Sequence, residues 1–156
     1  MLILPYIEQD ALYHEFHLDE PWDSEHNLRL LDRMPATYAP PAHKRSRLPA
    51  NHTVIHAFVG PGTAFEGPGG VAIKDFTDGV SNTLLLVEAG DPVPWTRPEE
   101  IAYSPDRPVR VTGLFKDGFR ACLADGSVRF VRDTIGEEAL RAAITRNGGE
   151  KARLDW

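Results

Sequence analysis

From residue 119 to residue 131 the chain reads Phe-Arg-Ala-Cys-Leu-Ala-Asp-Gly-Ser-Val-Arg-Phe-Val. Two strand-like runs flank Asp125-Gly126. Asp-Gly accepts the positive φ values that a tight turn needs, and β-branched and aromatic residues favour extended backbone. The segment is predicted to be an antiparallel hairpin closed by a two-residue type I′ turn. No other stretch constrains the fold as strongly.

The upstream pattern supplies partners for that hairpin. Thr83-Leu-Leu-Leu-Val-Glu88 is a nearly continuous apolar run, which predicts a central strand buried on both faces. His52 to Val59 is a further strand, rich in β-branched and aromatic residues. Val71-Ala-Ile73 predicts a short strand start. Gly60 to Gly70 is a loop without the Gly-Lys-Ser/Thr ending of a phosphate cradle. Residues 6–17 predict a short helix after Pro5, with Tyr6, Leu12, Tyr13 and Phe16 on one face. Ser24 is a good N-cap for a second helix carrying Leu28, Leu31 and Met34, which Pro35 stops. Residues 35–50 read as an irregular loop. A last helix starts at Thr134 or Gly136 and buries Leu140, Ala143 and Ile144, with Asn147-Gly148-Gly149 as a left-handed stop. Helices, then strands with long loops, then a hairpin and a helix make an α+β protein with a mainly antiparallel sheet, flanking short helices and long loops. No repeat or composition shift divides residues 1–156, so a single globular domain is expected.

Net charge is −6 with a pI near 5.5, which disfavours general binding to nucleic acid or acidic membrane. The one basic cluster, His43-Lys-Arg-Ser-Arg47, reads as a solvated loop. A single cysteine, Cys122, excludes an intramolecular disulfide and a cysteine zinc cluster, and its mid-strand place reads as a small core residue. No apolar stretch approaches the ~20 residues of a membrane-spanning helix, and no signal peptide is visible.

Several stretches together carry a family likeness. They are Leu4-Pro-Tyr-Ile-Glu-Gln9 with Leu12-Tyr13, Asp78 to Glu88, Trp95-Thr-Arg-Pro-Glu99, Leu123 to Phe130, and Ile144 to Gly149. In this order they make the chain resemble the DUF1559 family of planctomycete bacteria, a set of pilin-like or type II secretion pseudopilin-like proteins. The resemblance implies the globular head of such a subunit, extracytoplasmic and at the cell envelope. It implies self-assembly or packing against other pilin-like or secretion-system subunits. Membrane association would come only through an apolar N-terminal helix that this sequence lacks. Many relatives carry a histidine ten positions before the aspartate of the last Asp-Gly; here Phe115 stands there and is expected to pack beside Phe119. Any metal role of that histidine does not carry over.

Candidate chemistry is sparse. Asp75, Asp78, Ser81, Asn82 and Glu88 form the best candidate for a hard cation, with Asp75, Asp78 and Asn82 as calcium ligands, because calcium takes carboxylate, amide and carbonyl oxygens. The competing role is structural: Asp78, Gly79, Ser81 and Asn82 shape the turn before the central strand, as Asp125 and Gly126 shape the hairpin. Glu88 is expected to pair with an arginine or backbone donors. His14 and His17 lie three apart, with no further zinc ligand marked nearby. His52 and His56, four apart on a strand, are separated by ~13 Å. Trp22 and Trp95 either line a sugar-binding surface or pin loops to the core. The sequence thus favours a non-enzymatic assembly domain with no cofactor, calcium excepted. An extracellular binding module for calcium or glycans is the second reading, and a hydrolase using Asp or Glu the third.

Overall fold

The computed structural model describes residues 1–40, 48–109 and 111–150. The basic cluster His43–Arg47 lies outside them. The protein is α+β. Its strands are β1 (His52–His56), β2 (Phe58–Val59), β3 (Leu84–Pro94), β4 (Ile101–Ala102), β5 (Gly118–Leu123) and β6 (Val128–Arg132). Its α-helices are α1 (Asp10–Tyr13), α2 (Glu25–Leu28) and α3 (Glu137–Ile144), with short 3₁₀ turns between. Four strands form one sheet in the order β1-β3-β5-β6, and β2 pairs with β4 in a small parallel ribbon. The chain divides into two compact units: Met1–Thr53 with Pro92–Glu99, and Val54–Asp91 with Glu100 onward.

In the second unit, β5 pairs antiparallel with both β3 and β6. Strand alternation sends Phe119, Ala121 and Leu123 to one face and Arg120 and Cys122 to the other. The first face is the core. There Phe119, Ala121 and Leu123 meet Leu84, Val87 and Ala89 of β3, Val131 of β6, and Leu140, Ala143 and Ile144 of α3. Each large side chain so buried contributes about 1.5–3 kcal/mol. The apolar run was expected to be buried on both faces, but Leu85 and Leu86 are only half-buried. A register shift between Leu84 and Leu86 is the reason. One extra residue in β3 lets both Leu84 and Val87 reach the core, and the other face stays open.

The hairpin is present, but its turn is not type I′. Asp125 does not adopt positive φ; Gly126 does, at +83°. The Gly126 N–H donates to Leu123 O at 2.9 Å, and Leu123 N–H donates to Ser127 O at 2.8 Å. These bonds enclose a three-residue loop, Ala124-Asp125-Gly126, in which a β-turn is followed by a left-handed glycine. Asp125 accepts from Ser127 N–H at 2.8 Å, and the Ser127 contacts hold its carboxyl below the ordinary value. At the other end of β5, a Cβ on Gly118 would lie 2.0 Å from Val131 O, so the strand crossing there requires glycine.

Helix α3 starts at Gly136, as one of the two expected positions, and buries the expected stripe. Glu137 and Glu138 in its first turn complement the helix dipole. Its end differs from expectation. Thr145 turns extended, donates to Arg141 O at 3.3 Å and bridges Thr63, so Asn147–Gly149 are not the stop. The next residue, Arg146, is buried; it donates to Thr63 O at 2.7 Å and pairs with Glu66 at 2.6 Å. Val71–Ile73 is no strand, because residues Ile73–Asp75 form a 3₁₀ turn whose Asp75 carboxylate accepts from Ala72 N–H.

In the first unit the expected helix over 6–17 is two short pieces, a 3₁₀ turn at Leu4–Ile7 and α1. Glu8 at φ +61° separates them, and its N–H closes the first turn on Leu4 O. Ser24 caps α2 as expected, accepting from Asn27 N–H at 3.1 Å. The helix stops after Leu28 rather than at Pro35, and its buried residue is Asn27, not Leu28. Leu4, Leu12, Phe16 and Leu30 pack around Trp95. The Trp95 ring meets Phe16 edge-on at 5.8 Å, and its indole N–H donates to Leu31 O at 3.0 Å. Trp95 thus pins its proline-flanked segment to this core.

Two outcomes follow from these contacts. Gly126→Val, which forces a β-branched side chain to φ +83°, loses more than ~1 kcal/mol in denaturant unfolding, while Gly126→Asn loses less than half as much. Equal losses contradict the left-handed assignment. The Arg146 guanidinium, then the Gly62 backbone, hold the Glu66 carboxyl below its ordinary value of 4.5. A carboxyl lowered on folding stabilises above that ordinary value and loses its contribution as pH falls through the folded one. Glu66→Gln therefore flattens the fall in melting temperature below about pH 4.5, and an unchanged profile rules the contribution out.

Candidate functional site

The turn before β3 holds two of the three proposed calcium ligands, Asp78 and Asn82, and each already serves the backbone. Gly79 at φ +100° reverses the chain. Asn82 Nδ2 donates to Asp78 O at 2.7 Å, and Thr83 Oγ1 donates to Gly79 O at 3.1 Å. The Asp78 carboxylate accepts from Gly149 N–H at 3.1 and 3.2 Å, while Asp78 N–H donates to Arg146 O. The turn therefore ties β3 to the segment after α3. Asp75 spends its carboxylate on Ala72 N–H, at 2.8 Å. Ser81 is exposed. Among the described residues no group of three or more His, Cys, Asp or Glu side chains is placed to hold a metal ion.

The histidines do not pair as their spacing suggests. His14 lies 3.5 Å from Asp10 and edge-on to Tyr13. His17 instead stacks on His26, with ring centroids 3.5 Å apart and planes within 4°. His52 Nδ1 reaches Ala50 O, and the buried His56 reaches Asp91 O from its Nε2. His26 lies nine positions after His17, a spacing that does not mark the pair as neighbours in the sequence. Trp22 is half-buried.

A different surface comes from the outward side of the sheet. Ile55 of β1, Leu86 and Glu88 of β3, Arg120 and Cys122 of β5, and Val128 of β6 line a shallow groove of about 200 Å³. Direct cross-strand pairs share a face: Leu86 with Cys122, Glu88 with Arg120, Cys122 with Val128, and Arg120 with Phe130. Glu88 finds its arginine here, with Arg120 Nη1 3.9 Å from Oε2. Phe115 was expected beside Phe119, but strand alternation puts Phe119 in the core. The Phe115 ring meets Phe130 edge-on at 5.8 Å, and the Arg120 guanidinium lies 4.8 Å from its centroid. Cys122 was expected in the core and is instead half-buried on this open face. Burial, then the nearby Asp125 charge, push its thiol up, which works against nucleophilic chemistry. Val128 is 61% exposed and Phe130 42%. The sequence missed this surface because it needs four strands in register. Its local signal was the run Arg120, Cys122, Val128, Phe130 at alternate positions of the hairpin.

The chain matches no protein-family model, no curated protein and no solved structure.

If Asp78 serves the backbone, Asp78→Ala costs about 0.5–1.5 kcal/mol by removing the bond to the Gly149 N–H, equally with and without millimolar calcium. A melting temperature that rises with calcium in the parent protein, and not in Asp78→Ala, restores the cation role.

Proposed function

We propose that the protein is a non-enzymatic assembly domain, the head of a pilin-like or pseudopilin-like subunit at the extracytoplasmic side of the cell envelope. Its action is packing. The observation that carries this reading is the open sheet face, where exposed Val128 and Phe130 join Leu86, Ile55 and Cys122 around one tied ion pair. An apolar surface of this kind marks a contact site more often than a solvent face. The resemblance to pilin-like heads supplies the partner: an apolar helix of the same subunit, or neighbouring subunits of a filament or secretion assembly. A four-stranded sheet face offers such a helix an apolar bed with Arg120 and Glu88 on its two central strands. The acidic balance of −6 fits protein partners better than nucleic acid.

The N-terminal sequence and intact mass of the native protein, taken separately from membrane and soluble fractions, test the reading. A longer, membrane-associated form with an apolar N-terminal helix is expected. In that form Val128→Glu reduces assembly at least about tenfold, because a charge enters the apolar contact, while the melting temperature moves by less than about 4 °C, as for an exposed site. A native form that is monomeric, soluble and indifferent to Val128→Glu overturns it.

A further inference from the structure

We propose that the Asp91–Pro92 peptide bond is a self-cleaving site: the Asp91 carboxylate attacks its own main-chain carbonyl, His56 polarises that carbonyl, and the chain parts into residues 1–91 and 92–156. The inference stands apart from the assembly reading and uses none of its surface.

Of the thirteen prolines in the chain, only Pro92 follows an aspartate. An aspartate carboxylate reaches the carbonyl carbon of its own residue through a five-membered ring, so nucleophile and electrophile are held together by the covalent structure itself. The bond to proline is a tertiary amide. Its nitrogen carries a second alkyl substituent, which makes it easier to protonate as the bond breaks.

The fold adds what a free Asp-Pro pair lacks. The buried His56, at the end of β1, places Nε2 3.2 Å from Asp91 O. A carbonyl can only accept, so Nε2 carries the proton and donates to the oxygen on which negative charge develops during the attack. Gly90 brings the chain to that ring. It sits at φ +90°, and a Cβ there would lie 3.4 Å from both Cδ2 and Nε2 of His56. Its N–H is held by Thr112 O at 2.8 Å. His56, Gly90 and Asp91 all belong to the second unit. The nucleophile is uncommitted. Asp75, Asp78 and Asp125 spend their carboxylates on backbone N–H groups. Among the described residues the Asp91 carboxylate has no hydrogen-bond or ion-pair partner, and the residue is exposed to water.

In the reaction an Asp91 Oδ atom bonds to the Asp91 carbonyl carbon and closes a cyclic anhydride. The bond to Pro92 breaks, and its electron pair passes to the Pro92 nitrogen, which takes a proton from water. The hydroxide so formed opens the anhydride and leaves Asp91 with two carboxylates. One water is consumed and no other reactant is needed. The cut falls within β3, beyond the Leu84–Glu88 stretch that pairs with β5.

The test follows the intact mass of the full chain at about 37 °C and about pH 7, with protease inhibitors present. Fragments 1–91 and 92–156 are expected, with masses that together exceed the parent by one water. Their first-order rate is expected to be independent of protein concentration. The folded chain cleaves at least about tenfold faster than the same chain in urea, because the His56 donor is in place only in the fold. His56→Phe, which keeps a ring and loses the donor, slows the folded rate at least about tenfold. Asp91→Ala, at an exposed position, abolishes the cut. Cleavage no faster in the folded chain than in urea overturns the proposal. So does a folded His56→Phe that cleaves at the parent rate, or an Asp91→Ala that is still cut at this bond. If His56→Phe does not fold, the comparison with urea and the Asp91→Ala result decide.

Discussion

Strand β5 is hydrogen-bonded along both edges, and its alternation decides what each face of the sheet becomes. Phe119, Ala121 and Leu123 commit the inner face to the core with α3. Arg120 and Cys122, by the same two-residue period, are committed to the outside. Everything else in this unit conforms to that division. The bulge in β3 brings Leu84 opposite Leu123 and Val87 opposite Ala121, so that β3 presents apolar side chains where β5 does. Gly118 permits the close passage of Val131 that keeps β6 in register. A one-residue slip anywhere in this set would turn Phe119 toward solvent, which is why the register is firmly specified.

Sequence pattern carried the hairpin, the place of β3 and the apolar stripe of α3, because each depends on residues adjacent in the chain. It did not carry the size of the hairpin loop. Asp-Gly is compatible with a two-residue turn and with a left-handed glycine closing a longer one, and the choice is made by which residues of β5 and β6 must face the core. The helix expected over 6–17 failed for a similar reason. Its apolar spacing is helical, but Glu8 takes a left-handed conformation that closes the first turn on Leu4 O and redirects the chain. The bulk of the segment buries Leu4, Leu12 and Phe16 without a continuous helix.

The polar features were less legible still. Asn27 reads as an unremarkable helix residue, and its burial becomes sensible only when His17 and Pro21 present their carbonyls to it. Buried amides need such partners, and those partners are backbone groups that no sequence motif marks. The Asp78 turn was legible as a turn because Asp, Gly and Asn announce it locally. That its carboxylate would hold the Gly149 N–H, 71 residues on, was not.

The open face shows why composition alone misjudges a surface. Arg120 and Glu88 at its centre would ordinarily mark it as a solvated sheet side. Here the Arg120 guanidinium lies against the Phe115 ring and within reach of Glu88, and the Glu88 side chain is only 13% exposed. Charges tied to each other and to an aromatic ring demand less water than free ones, so covering them costs less. The flanking Val128 and Phe130 then shape the character of the surface, because they are its large hydrophobic side chains left open to solvent. A partner that supplies an apolar stripe gains their burial without stranding a free charge. The character of the face is thus set by which side chains strand register leaves open, rather than by residue count.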